Sequence, residues 1–296
     1  MAAGEAAVAA AEAATTEATG KTAVVATVEA AGEVVEEAAA EAAGEAAKEA
    51  KRGGGKSNPP REFTTHVPTE KERTVTSFDK SCAHCGRYHC DHLDSDWPSF
   101  CMTTNNPSEF FDEALDEYRN DPETRAIFRA AAECEGLYYG GLTRVEEVAL
   151  FAQKIGARKI GIATCMGLRR ETQLFTKMLE AKGFESVCAV ICKVGGIDKT
   201  QAGIPDEVKV HPGCHESMCN PIVQAKILNA QGTDLNVIVG LCVGHDTLFI
   251  KHSDAPVTYL IVKDRVLAHN PAAALYQSSM YYRRIMEPGF PPERPR

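Results

Sequence analysis

The sequence predicts an α/β fold in which helices cover both faces of a parallel sheet. Between residues 159 and 263 there are four apolar, strand-like runs, and helical stretches separate the first three. An alternation of strand, helix and strand implies parallel strands joined by right-handed crossovers. Of the 296 residues, the 236 that follow residue 60 are enough for one sizeable core. We therefore expect a three-layer, Rossmann-like domain, preceded by a short cysteine-rich segment and a disordered tail.

The first 60 residues have a composition of their own. They contain 22 alanines, ten acidic and five basic residues, and they lack Leu, Ile, Phe, Trp and Tyr. Such a segment buries too little apolar surface to offset the entropy lost on folding. We expect residues 1–60 to be a tail, disordered or partly helical, that carries no site.

Residues 61–105 are predicted to be a separate cysteine- and histidine-rich segment that binds a metal. Four cysteines occur here with two, four and ten residues between them: Cys82, Cys85, Cys90 and Cys101. The first two follow the Cys-x2-Cys pattern, which places two thiolates around one ion, and Gly86 permits the tight turn. The fourth ligand could be Cys101, His89 or His92. Four thiolates suit a structural zinc ion or an iron-sulfur cluster equally well.

The third region, residues 106–296, opens with helices. Asn106-Pro107 and Asp121-Pro122 each begin one, because proline fits the first helical turn. Thr143 and Glu146 form a capping box for a third helix, which runs to Gly156. The strands of the sheet are predicted at residues 159–164, 186–192, 235–241 and 257–263. Further helices are predicted at 168–182, at 221–230 and from Pro271 onwards.

Five cysteines are predicted to meet at one edge of this sheet. Cys165, Cys192 and Cys242 each lie at the carboxyl end of a different strand, where parallel sheets bind ligands. Cys214 and Cys219 precede the helix that begins at Pro221, so their loop should return to the same edge. We expect all five to be metal ligands. Cys134 and Cys188 are expected to be core residues.

Two residues are candidates for catalysis. Cys165 stands at a strand-to-helix turn, where backbone amides and the helix dipole stabilise a thiolate. His245 follows Cys242 closely, and its imidazole could join a metal shell or move a proton.

Composition excludes several classes of function. Residues 1–60 carry a charge of −5, so the remainder holds −4 of the total −9, and nucleic acid is not an expected partner. No run of 18 apolar residues predicts a membrane span, and nothing resembles a secretory signal. We therefore expect a cytoplasmic protein whose eleven cysteines stay reduced, so that clustered thiols indicate metal or catalysis. No Walker or Gly-x-Gly-x-x-Gly motif predicts a nucleotide.

Four motifs together resemble a known family. They are Ser-Cys-Ala-x-Cys-x4-Cys from Ser81, Ile-Ala-Thr-Cys-Met-Gly-Leu-Arg-Arg-Glu from Ile162, His-Pro-Gly-Cys-x4-Cys-Asn-Pro from His211, and Gly-Leu-Cys-Val-Gly-His-Asp from Gly240. The resemblance is to the prokaryotic family called domain of unknown function 1847, and it covers roughly residues 82–273. It implies a cytosolic, cysteine-rich metal-binding protein and assigns no reaction.

Two classes of function remain open. The first is a zinc- or iron-sulfur-dependent redox or thiol enzyme, whose site lies at the carboxyl ends of the strands and whose partner is a small molecule or a redox protein. The second is a non-catalytic protein that handles or senses metal. A fifth thiol beyond the four that saturate a zinc ion or cluster favours the enzyme.

Overall fold

A parallel sheet forms the centre of the chain in a computed structural model that describes residues 81–289. Within these residues the sheet has four strands: β1 (Lys159–Thr164), β2 (Ser186–Ile191), β3 (Leu235–Val239) and β4 (Val257–Ile261). Their order is β2-β1-β3-β4, and every neighbouring pair is parallel. The predicted α/β fold with a parallel sheet is confirmed.

Helices precede the sheet, connect its strands and follow it. They are α1 (His89–His92), α2 (Glu109–Asn120), α3 (Pro122–Tyr138), α4 (Arg144–Lys154), α5 (Arg169–Ala181), α6 (Pro221–Ala230), α7 (His245–His252) and α8 (Ala272–Tyr276). Residues that alternate along β1 enter different cores. Ile160 and Ile162 pack with α4 and α5, whereas Ala163 packs with α6 and α7. The sheet is thus the middle of three layers.

Two helices, α3 and α4, start at the predicted caps, whereas α2 begins at Glu109 without a side-chain cap and not at the predicted Asn106-Pro107. The Asp121 carboxylate accepts a hydrogen bond from the Thr124 N–H at 2.7 Å at the start of α3. At α4 the Thr143 hydroxyl and the Glu146 carboxylate cap each other's backbone N–H, which is the predicted capping box. Such caps satisfy donors that the first helical turn leaves free.

The structure departs from the sequence analysis at α7, where no helix was predicted. This helix has eight residues, and Phe249 is its one buried side chain, so its apolar periodicity is too weak to detect. Strands β2, β3 and β4 also end one or two residues earlier than predicted. After β3, for example, Gly240 has a φ of +70° and turns the chain out of the sheet.

Some predictions fall on other parts of the chain. The tail over residues 1–60, the beginning of the cysteine-rich segment (61–80) and the last residues (290–296) lie outside the described residues. Within residues 81–289, no helix is both long and apolar enough to cross a membrane.

One glycine in β1 allows the sheet and α6 to pack closely. A Cβ at Gly161 would lie 2.0 Å from Asn236 Oδ1 and 2.9 Å from Leu228 Cδ1. Asn236 cannot retreat easily, because it is fully buried and its side-chain oxygen accepts a hydrogen bond from the Thr233 hydroxyl at 2.8 Å.

We predict that Gly161→Ala lowers the free energy of unfolding by about 1–3 kcal/mol, since an added methyl group overpacks this contact. Gly136→Ala in α3 is the control, because a Cβ there meets nothing within 4 Å and helix propensity favours alanine. Urea denaturation measures both. An unchanged stability of Gly161→Ala would contradict the described packing.

Candidate functional site

Strand register places two of the predicted cysteines side by side. The last paired residues of β1 and β2 are Thr164 and Ile191, and hydrogen bonding continues one residue further. The Cys192 N–H donates to the Thr164 carbonyl at 2.8 Å, and the Cys165 N–H donates to the Val239 carbonyl at 3.1 Å. Paired residues of neighbouring strands point to the same face. The side chains of Cys165 and Cys192 therefore both enter the core on the α6 side.

A loop brings a third cysteine to this pair. The Asn220 N–H donates to the Cys192 carbonyl at 2.7 Å, and the Met218 N–H donates to the Ile197 carbonyl, also at 2.7 Å. The Lys193 ammonium adds a hydrogen bond to the Ser217 carbonyl. The end of the loop thus runs beside the chain that leaves β2, and Cys219 packs against the same core as Cys192.

Buried charges hold the rest of this loop. The Lys209 side chain is 5% exposed, and its ammonium lies 3.0 Å from an Asp198 carboxylate oxygen and 2.9 Å from one of Asp206. Asp198 also accepts a hydrogen bond from the Glu216 N–H at 2.7 Å. The Glu216 carboxylate in turn pairs with the Lys199 ammonium at 2.5 Å. These contacts hold residues 198–216 in place, and they thereby set the position from which Cys219 reaches the core.

Cys165, Cys192 and Cys219 form one connected group, here called the thiol cluster. Cys192 follows the β1–β2 register beside Cys165, its carbonyl accepts the Asn220 N–H next to Cys219, and all three side chains pack in one core. The Cys192 sulfur accepts a hydrogen bond from the Met166 N–H at 3.3 Å. Cys165 and Cys219, together with burial, raise the pKa of Cys192. Cys192 is also the main cause that lowers the pKa of Cys165 to about 5 and that of Cys219 to about 4. Cys192 therefore keeps its proton while its two neighbours release theirs.

Cations support the two outer sulfurs. Cys192 has the largest effect on the pKa of Cys219, and His245 and the charge of Lys193 lower that pKa further. Cys219 in turn raises the pKa of His245. The charge of Lys263 helps to lower the pKa of Cys165, and the Lys263 ammonium nitrogen would lie 3.2 Å from a Cβ at Gly167, two residues after Cys165. Each outer sulfur thus has its own positive partner.

Neither lysine was predicted from the sequence to belong to the site. Lys193 directly follows Cys192, and Lys263 ends the apolar run of β4, so both stand at carboxyl strand ends. The topological argument that selected the cysteines would also have found them.

The thiol cluster lies beside the point where the strand order reverses. The chain passes from β1 outward to β2 and then returns past β1 to β3. Ligands of open α/β sheets bind in the crevice at such a point. Gly240 shapes this crevice, because a Cβ there would lie 1.9 Å from Leu168 Cδ1.

The other predicted ligands of this edge have different surroundings. Cys214 is exposed, and its carbonyl accepts a hydrogen bond from Lys209. Cys242 is half-buried, and its sulfur accepts a hydrogen bond from the Arg265 guanidinium at 2.9 Å. The convergence predicted for five thiols is therefore seen in the contacts of three. Cys134 is buried in α3 as predicted, and Cys188 is half-buried in β2. Burial raises the pKa of both.

The four cysteines of the other segment line one small cavity. Its volume is about 90 Å³, and His89 and Trp97 also line it. The two rings meet edge to face with their centroids 4.2 Å apart, and His89 Nδ1 accepts a hydrogen bond from the Ser95 N–H at 3.0 Å. The cavity lining consists of Cys82, Cys85, Cys90 and Cys101 with Tyr88, His89, Trp97, Pro98, Phe100 and Thr103.

The backbone around this cavity is held in an uncommon conformation. Tyr88 and Leu93, which flank α1, have φ angles of 52° and 54°. Bulky residues rarely adopt this region, and strain of this kind is concentrated at functional sites. Desolvation raises the pKa of Cys101, but hydrogen bonds with Thr103 and Thr104 outweigh it and leave that pKa below its usual value. Across residues 81–289, however, no group of three or more His, Cys, Asp or Glu side chains is arranged to hold a metal ion.

Comparison with known proteins identifies the family. The family model described as protein of unknown function, DUF1847, matches residues 101–260. The chain belongs to this family. An uncharacterized protein of Methanocaldococcus jannaschii is 48% identical over 173 residues, which make up 58% of this chain and 86% of that protein. No solved structure gives a significant match.

The matched span separates the two cysteine groups of this DUF1847 member. All three residues of the thiol cluster lie within residues 101–260. In the cysteine-rich segment, by contrast, only Cys101 falls inside, and Cys82, Cys85 and Cys90 precede the match. The family match thus covers all residues of the thiol cluster and only one cysteine of the other cavity.

We predict that the ion pairs of the loop make stability depend on pH. The Lys199 ammonium is the main cause that lowers the pKa of Glu216 to about 2 in the folded protein. A carboxylate whose pKa falls on folding stabilises the fold above its unfolded pKa, near 4.3, and loses this effect as the pH falls through the folded value. Glu216→Gln should therefore be less stable than the wild type at pH 7.

The difference in stability between the wild type and Glu216→Gln should disappear between about pH 4 and pH 2, the range in which Glu216 of the wild type takes up its proton. Urea denaturation at several pH values measures it, with Glu207→Gln on the exposed side of the same loop as the control. A gap that is the same at pH 7 and at pH 2.5 would show that Glu216 is not held by charge.

Proposed function

We propose that this protein is a cytoplasmic, cysteine-rich metal-binding protein that holds a soft metal ion at the thiol cluster. One observation carries the proposal: Cys165, Cys192 and Cys219 pack in one core at the carboxyl edge of the sheet, and His245 is near enough to Cys219 for each to shift the pKa of the other. Three cysteines and one histidine are a common ligand set for zinc.

The protonation states favour such an ion. A thiol must lose its proton before it can bind a metal, which makes affinity depend on the thiol pKa. Two of the three thiols, Cys165 and Cys219, have pKa values well below 7. Sulfurs at about 2.3 Å from one zinc ion lie roughly 4 Å apart. Binding would replace the thiol protons and would require the sulfurs to turn toward a common point.

The identity of the metal follows from the fourth ligand. His245 as fourth ligand favours zinc, because imidazole and thiolate together suit that ion. An iron-sulfur cluster takes four thiolates in most proteins, so it would need Cys242 or Cys214 in addition. The contact between His245 and Cys219 makes zinc the first expectation.

The cavity of the cysteine-rich segment is proposed as a second metal centre. Its lining includes all four thiols of the segment, and Cys101 is the favoured fourth ligand there. His89 is less suitable, because its Nδ1 accepts the hydrogen bond from Ser95, which leaves the proton on Nε2. His92 is exposed and lies 3.2 Å from Asp91.

A redox or thiol enzyme is favoured over a metal-handling protein by access to the thiol cluster. Cys219 is half-buried rather than sealed, and it contacts a histidine that can move a proton. Non-catalytic metal handling is the second candidate. It is supported by the cysteine-rich segment, where Cys82 and Cys90 are exposed and could pass an ion to a partner.

We predict that anaerobically purified protein carries close to two equivalents of metal per chain. Cys219→Ser should lose about one equivalent, Cys85→Ser about one, and the double variant nearly all, because each change removes a ligand from one centre only. Cys188→Ser is the matched control, since Cys188 lies on the same face of β2 as Cys192 but outside the thiol cluster. Elemental analysis measures zinc and iron, and absorption near 400 nm identifies an iron-sulfur cluster.

Less than about a tenth of an equivalent of zinc plus iron in the wild type would overturn the proposal, given how tightly structural sites bind. If Cys219→Ser and His245→Ala both contain as much metal as the wild type, the thiol cluster is not a metal site.

The chain's one tryptophan reports on the second centre separately. Trp97 lines the cysteine cavity, so zinc added to metal-free, reduced protein should change its fluorescence. Cys85→Ser should abolish the change, while Cys219→Ser should leave it intact. A fluorescence change that persists in Cys85→Ser would show that the ion binds elsewhere.

A further inference from the structure

We propose that Cys219 and Cys192 form a dithiol–disulfide couple that exchanges with low-molecular-weight disulfides, and that the oxidised form no longer holds metal. The couple itself stands on the geometry of the thiol cluster. Only the release of metal rests on the proposed function. The inference adds a reversible modification site to the edge of the sheet.

Access decides which sulfur reacts first. Cys219 is half-buried on a loop, whereas Cys192 is 2% exposed and Cys165 is 9% exposed. A disulfide that arrives from solvent therefore reaches Cys219 before the other two.

Geometry decides which sulfur completes the reaction. Cys192 has Cys165 beside it on the neighbouring strand, its carbonyl accepts the N–H of Asn220, the residue after Cys219, and the three side chains pack in one core. Cys165 and Cys192 stand on neighbouring parallel strands, whose spacing of about 4.8 Å exceeds the usual Cβ separation in a disulfide, about 3.8 Å. Cys219 lies on a loop, so its distance from Cys192 is not set by the spacing between strands. A bond from Cys192 to Cys219 is therefore favoured over one to Cys165.

The reaction balances as two exchanges. The Cys219 thiolate attacks one sulfur of the small disulfide and forms a mixed disulfide, while the other sulfur leaves as a thiolate and takes up the proton that Cys219 released. The Cys192 thiol then loses its proton and attacks the Cys219 sulfur, and the second small thiol leaves with that proton. Two electrons pass from the cysteine pair to the small disulfide, which becomes two thiols.

Oxidation would remove two thiolate ligands at once. A disulfide sulfur is not the anionic ligand that a metal site requires. Cys165 and His245 alone would be left, and two ligands do not make a stable site for zinc.

The experiment uses the full chain with Cys188→Ser and Cys214→Ser as background. Trypsin then gives separate peptides for Cys165, Cys192 and Cys219, each with a single cysteine. Protein purified under reducing conditions is treated with glutathione disulfide, quenched in acid and mapped by mass spectrometry. We expect a cross-link between the Cys192 and Cys219 peptides, which a reducing thiol reverses.

Two further variants test the order of events. Cys192→Ser should stop at a mixed disulfide between Cys219 and glutathione, whereas Cys165→Ser should still form the cross-link. A cross-link between Cys165 and Cys192, a mixed disulfide on Cys192 in the background protein, or no modification of Cys219 would each overturn the couple.

Metal content is measured on the same samples, so that the two proposals can fail separately. A cross-link in protein that never contained metal would support the couple and sink the proposed function. If the purified protein contains metal but forms no cross-link, even after a chelator has removed that metal, the proposed function stands and the dithiol–disulfide couple is overturned. If both proposals are right, about one equivalent of metal is released as the cross-link forms. A cross-link that leaves the metal bound would contradict the claim that oxidation releases it.

Discussion

The backbone hydrogen bonds that continue one residue beyond β1 and β2 are the constraint on which the candidate site depends. They keep Cys165 and Cys192 in register, so both side chains enter the same core at the same height. No side-chain interaction has to bring the two sulfurs together. Their proximity is a property of the sheet, and it lasts as long as the sheet does.

The third sulfur comes by a different route, and this explains its different character. Cys219 is held by a loop whose carboxylates and ammonium groups pair with one another around Lys209. The arrangement gives a rigid pair and a third member that is partly open to solvent. A site of this kind suits a protein in which one sulfur reacts or exchanges while the others remain in place.

Much of this could be predicted from the sequence, because the determining signals are local. Strand β1 and helix α6 have the predicted boundaries, since alternation and proline mark their ends. The carboxyl-edge rule correctly grouped Cys165 and Cys192. It could not separate Cys219 from Cys214, because the paired charges that direct their loop join residues far apart in the chain. It also could not reveal α7, whose apolar face is too short, although His245 at the start of this helix was a candidate residue.

The most direct test of the central claim is X-ray absorption spectroscopy at the metal edge. The protein used is Cys85→Ser, in which the cysteine-rich segment has lost a ligand and the thiol cluster is intact. The account predicts three sulfur neighbours near 2.3 Å and one nitrogen near 2.0 Å around zinc. A coordination shell made only of oxygen and nitrogen would contradict it, because the sulfurs of Cys165, Cys192 and Cys219 would then share no ion.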